Sequence, residues 1–213
     1  AGGHEILMHD KIGSLYVINN NGSCWIELTS DGNMSIYNQG KFSVRAENDI
    51  NLHSDNNINI NASITSSTGK LDLVLNSDSD GVGGGVINLG WATLNANGGT
   101  ISATGKTVNV SSSTVLISSA MNAGSLFLTS GGTLQGTGAI TVSGAFNWSG
   151  SGASAISTGG GLTVNGGTTI TGAGEKLVNG GVLILASDTS WDGAGRIQLG
   201  NSFGSLGGSI TNQ

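Results

Sequence analysis

From Gly32 onward the chain falls into blocks of eight residues: GNMSIYNQ, GKFSVRAE, NDINLHSD and NNININAS. In every block the third and fifth positions are apolar: Met34 and Ile36, Phe42 and Val44, Ile50 and Leu52, Ile58 and Ile60. Apolar residues at every second position lie on one side of an extended chain, so each block predicts one short β-strand with a single buried face. The first position of each block is Gly or Asn, the residues that most readily enter the left-handed conformation of a tight corner. Upstream, Ile6 and Met8, Leu15 and Val17, and Cys24 and Ile26 keep the same spacing with longer connections. The eight octad residues form the predicted inward set, with Tyr37, Arg45 and His53 outward. Cys24 shares the inward phase and is read as a small buried hydrophobe.

One strand and one corner enclose nothing. Either three successive octads of one chain close a triangular coil of about 24 residues, or three chains each give one octad to a shared prism; periodicity allows both. From about Thr65 the pattern loosens into apolar pairs separated by Gly, Thr, Ser and Asn, as in Leu134, Ile140-Thr-Val142, Leu162-Thr-Val164 and Thr168-Thr-Ile170. These motifs recur roughly every 20 residues, a spacing suited to the coil of a single-chain parallel β-helix. Val108–Val110, Val115–Ile117 and Leu126–Leu128 are its predicted short walls, since Val and Thr favour strands. The expected fold is an all-β solenoid in two regions, octads over 1–63 and looser coils over 64–213.

Composition strengthens this picture. Of 213 residues 38 are Gly, none is Pro, and 9% are charged, against about 25% in ordinary domains. Gly, Ser, Thr and Asn form helices poorly, while 37% hydrophobic residues is too apolar for a disordered tail. The net charge is -6, and no basic cluster marks a nucleic-acid binder. Cys24 is the single cysteine, which excludes an internal disulfide and a multi-cysteine metal site. Residues 1–80 carry ten acidic and four basic side chains, whereas Lys106 is the only charge between Gly81 and Gly174. The opening Ala-Gly-Gly and the closing Thr-Asn-Gln suggest a piece of a longer protein.

Few strings carry chemistry. Asn76, Asp78 and Asp80, followed by Gly81, resemble the start of a calcium loop, but Ile87 stands where a bidentate Glu is needed. A solvated turn is the better reading, with a weak surface ion as its rival. Gly200-Asn-Ser202-Phe-Gly204 matches the nucleophile-elbow string, but no His follows Ser202 and no helix is expected. Glu175, Asp188 and Asp192 with Trp191 are the material for a glycosidase, whose two carboxyl groups must stand about 5–9.5 Å apart. Trp25, Trp91, Trp148 and Trp191 are spread singly and are expected to fill or cap coils. His4 and His9 fall on opposite faces of one strand, which argues against a shared metal. The Asn-x-Ser strings at Asn21, Asn33, Asn61, Asn109 and Asn147 match a glycosylation pattern, and chance suffices to produce them here. No catalytic residue, cofactor site or firm metal ligand follows from the sequence.

The stretch from His4-Glu-Ile-Leu-Met-His-Asp10 through Trp25-Ile-Glu-Leu28 to Asp49-Ile-Asn-Leu-His-Ser-Asp55 resembles the C-terminal needle of the central spike of T4-type phages, related to type VI secretion spikes. The resemblance covers residues 4–63 and implies the three-chain prism, a homotrimer, partners among tail and baseplate proteins, and a place in the virion tail. Lys70–Leu89 resembles coils of filamentous-haemagglutinin-type adhesins, and 180–213, with Trp191-Asp-Gly, resembles coils of large bacterial surface proteins. These imply a secreted adhesin meeting host glycans as the alternative, or a chimera of the two. A tailspike-type glycosidase is the remote third reading.

Overall fold

The computed structural model describes residues 5–9, 13–19, 24–30, 34–38, 49–200 and 207–213. Every regular element among them is a strand. The chain divides into two compact units, Ala1–Ala46 and Glu47–Gln213. The octads Phe42 and Val44, together with Arg45, lie outside the described residues.

The second unit is a β-solenoid. Strand follows strand in parallel ladders whose partners are about 21 residues apart, as Ile140, Leu162 and Leu183 show in successive coils. Each coil has three walls. The first coil is Asp49–Ser54, Ile58–Ile60 and Ile64–Thr65. The second is Asp72–Ser77, Val86–Leu89 and Thr93–Asn95. In the third and fourth coils one bent strand forms two walls, Thr100–Ser111 and Ala120–Thr129, followed by Thr114–Ile117 and Thr133–Gly136. The fifth is Ile140–Val142, Phe146–Ser149 and Ser154–Thr158, and the sixth Leu162–Val164, Thr168–Thr171 and Lys176–Val178. The seventh is Val182–Leu185, Thr189–Asp192 and Ile197–Leu199, and Ser209–Asn212 adds the first wall of another.

Alternation within a strand and register between strands together build the core. Leu73, Ile101, Met121, Ile140, Leu162 and Leu183 form an inward column on the first wall; Ile87, Val108, Leu126 and Phe146 form one on the second; Leu134, Ile156 and Val178 form one on the third. All are buried. Burying each such side chain contributes about 1.5–3 kcal/mol relative to leaving it in water. Trp148 fills the fifth coil, and its indole N–H donates to Ser154 Oγ at 2.7 Å, which satisfies the donor that burial would otherwise orphan.

Corners explain the glycine content. Adjacent strands lie about 4.8 Å apart, so corner residues of successive coils sit almost backbone on backbone. Gly150 and Gly172 have φ of 107° and 83°. A Cβ on Gly172 would strike the Gly150 carbonyl oxygen. Only glycine meets both demands.

Octads are used in two ways. The last two become the first and second walls of the first coil, with Ile58 and Ile60 buried, Ile50 and Leu52 half-buried and packed on the core, and His53 exposed. The strands before them form an antiparallel meander, β1 (Glu5–His9), β2 (Ser14–Ile18), β3 (Cys24–Leu28) and β4 (Met34–Asn38), in that order in one sheet. Met34 and Ile36, predicted buried, are exposed there, and so is Cys24. A meander lays strand beside strand, so among the described residues of β1–β4 none folds over these side chains, and for them the expected burial does not hold.

Candidate functional site

The meander is two-faced by register. Ile6 stands opposite Val17, Val17 opposite Ile26, and Ile26 opposite Ile36; Met8, Leu15, Leu28 and Met34 form the second row. Residues two apart share a face, so these eight apolar side chains lie on one side of β1–β4. Met8 is 82% exposed, Ile6 72% and Met34 60%, with Val17, Leu28 and Ile36 also open to solvent. Ile6, Val17, Cys24 and Ile26 border an open concavity of about 430 Å³. The opposite face is different. Tyr16 and Glu27 face each other across β2 and β3, and the phenol donates to Glu27 Oε1 at 2.5 Å. That bond to a carboxylate holds the Tyr16 pKa above its usual value, since losing the phenol proton would set two anions side by side.

A sheet with eight apolar side chains on one face, six of them exposed, resembles half of a sandwich or one wall of a closed prism. Comparisons with protein families, with curated proteins and with solved structures find no match to the chain.

The calcium-like string lies where the second coil turns from its first to its second wall. Asn76 is on the strand and its amide bonds His53 Nδ1 at 3.1 Å. Asp78 takes φ of 57°. Its Oδ1 accepts the Gly83 N–H at 2.5 Å, and its Oδ2 lies 3.8 Å from the Lys106 ammonium. Asp80 Oδ1 accepts the Val82 N–H at 3.2 Å. Side-chain oxygens are thus spent on the turn's own backbone, and Lys106 supplies a positive charge beside Asp78. Among the described residues no group of three His, Cys, Asp or Glu is placed to hold a metal. No described helix is long and apolar enough to cross a membrane.

The glycosidase material is dispersed. Glu175 is paired with Arg196. Asp188 precedes, and Asp192 ends, one strand, so their backbones are about 13 Å apart at strand rise. Trp191 shares the phase of buried Ile170 in the coil before it, yet is 54% exposed. Trp91 is exposed too, so of the four tryptophans Trp148 is the one that fills a coil. His4 and Ser202 lie outside the described residues, as do the side chains of His9 and Tyr37.

One residue escaped the sequence reading. Lys176 is 1% exposed and points into the sixth coil, where its ammonium donates to the Gly174 carbonyl at 2.9 Å. Burial lowers its pKa, because the charged form loses its hydration. The signal lies in the register: Lys176 pairs with inward Ser154 and stands two places before buried Val178.

Proposed function

We propose that this chain is a non-enzymatic structural component of a phage tail spike or needle, a homotrimer joined through its N-terminal sheet, that contacts or pierces the bacterial envelope. The uncovered apolar face of β1–β4 carries the reading. Two rows of four apolar side chains, six of the eight open to water, are a liability unless another surface covers them, and identical sheets of two further chains would do so while closing a three-walled prism. Pairing among copies also removes free strand edges along the shaft. The solenoid needs no such help, because its three walls close within one chain. A spike of this design holds its shape by stacked coils and transmits load along the ladders. The resemblance of residues 4–63 to the T4-type needle supports the same assembly.

An adhesin is the second reading. The specific observation behind it is the coil-by-coil closure of 47–213 in a single chain, with an almost uncharged surface from the third coil to the sixth. Antibody raised against the chain separates the two. Gold label at the distal end of virion tails supports the spike; label over the outer surface of bacteria, with none on virions, supports the adhesin. As a structural element the protein is expected to release no sugar, peptide or ester product. Glycan cleavage abolished by Asp188→Asn or Asp192→Asn would contradict that.

A further inference from the structure

The second wall carries an ordered row of amides on its outer side. Asn59, Asn88 and Asn109 are in register across the first three coils. Asn88 Nδ2 donates to Asn59 Oδ1 at 2.8 Å, and Asn109 Nδ2 donates to Asn88 Oδ1 at 3.0 Å. Each amide has two N–H donors and two acceptor sites, and the ladder consumes at most one of each. The remainder are left for solvent or a ligand. Beside the row, a Cβ on Gly90 would come within 2.8 Å of Asn61 Oδ1, so the missing side chain gives that fourth amide its place.

At the end of the same wall stands Trp91, 72% exposed. Its φ of 52° is a conformation that bulky residues avoid. The corresponding corners of the next coils use small residues instead, Ser112, Ser130 and Gly150. A large aromatic held in a strained corner and left in water gains nothing for the fold. Such outliers point toward function.

We infer that Trp91 and the Asn59–Asn88–Asn109 ladder form a binding surface for a neutral saccharide. The indole offers an apolar plane for one face of a sugar ring, and the amides offer paired donors and acceptors for its hydroxyls. Successive amides are about 4.8 Å apart, so three of them span about 10 Å, the reach of a short oligosaccharide. The charges exclude an anionic one. Asp49, Asp55, Asp72, Asp78 and Asp80 lie in the same two coils with Lys70, and Lys106 is already engaged by Asp78. Uronic or sulfated sugars would meet net repulsion. This goes beyond the spike reading and does not depend on trimer formation, since every residue named belongs to the solenoid.

The test is calorimetric titration of the full chain with cellotriose, maltotriose, chitotriose and a β-galactotriose, alongside a hyaluronan hexasaccharide. At least one neutral trisaccharide is expected to bind with a Kd of about 1 mM or tighter. Trp91→Ala should weaken it about tenfold or more, Asn88→Leu should weaken it too, and Trp191→Ala should leave it unchanged. Each variant should melt within a few degrees of the parent, which separates lost binding from lost fold. Val17→Lys with Ile36→Lys, designed to abolish assembly, should keep the affinity per chain. No binding of any neutral sugar at about 10 mM, binding untouched by Trp91→Ala, or preference for the hyaluronan fragment would each overturn the proposal.

Discussion

In the solenoid, Ile87, Val108, Leu94 and Val115 are fully buried, whereas in the N-terminal sheet Ile6, Met8 and Met34 stand in water. Both sets occupy every second place of a short strand, and both stretches are flanked by Gly, Asn and Ser. The difference lies in what faces them. A solenoid coil brings its second and third walls against its first within about 21 residues of chain, so each inward column meets two others. A meander lays each strand beside the last, as β1–β4 do, so the apolar rows broaden without ever being covered. Alternation tells which side of a strand avoids water. The connection between strands decides whether the same chain can oblige.

The comparison breaks most visibly under charge. Val108→Asp places an unpaired carboxylate among fully buried neighbours and should cost several kcal/mol, enough to unfold the solenoid in a urea titration. Val17→Asp should leave the solenoid's melting unchanged and abolish assembly instead. Equal destabilisation by both would mean that the meander's face is covered after all.

Smaller changes probe the corners and the core. Gly172→Ala forces a Cβ into the Gly150 carbonyl at a positive φ and should cost about 1–3 kcal/mol in thermal or chemical denaturation. Lys176→Met should stabilise by about 1 kcal/mol or more, since an apolar chain of like length removes a buried ammonium held by a single carbonyl. pH gives an independent check. Burial makes folded Lys176 release its proton at lower pH than the unfolded chain does. Between those two values the unfolded state binds more protons, so stability rises with pH there; the rise should vanish in Lys176→Met. The smallest effect is expected at Asp72. Its Oδ1 accepts both the N–H of Thr100, at 2.8 Å, and the Thr100 hydroxyl, at 2.9 Å, and these bonds lower its pKa. The stability they add is present above the ordinary carboxylate range and is lost as pH falls through the lowered value. Thr100→Val should narrow that acid-side loss in melting curves recorded from neutral to acid pH.

Much of the fold could be read directly. Val108–Val110, Val115–Ile117 and Leu126–Leu128 lie in strands on two walls of adjoining coils, and the spacing of about 20 residues is close to the coil. The phase of Ile58 and Ile60 is that of buried residues, and His53 is exposed. What resisted reading was long-range. Nothing in GNMSIYNQ distinguishes it from NNININAS, yet one falls on an open meander and the other on the wall of a closed coil, because only the second is followed by chain that returns over it. The surface features were harder still. Asn59, Asn88 and Asn109 are 29 and 21 residues apart, unequal intervals that conceal a single column. Trp91 looks like a coil filler until its corner is known.

The association state of the full chain tests the central claim most directly. Light scattering coupled to size exclusion should give about three times the 21.2 kDa chain mass, falling to one chain in Val17→Lys with Ile36→Lys while the solenoid's melting temperature is unchanged. A full chain that runs as a monomer at every concentration, with the Met8 thioether still open to oxidation and the Cys24 thiol to alkylation, would contradict the account.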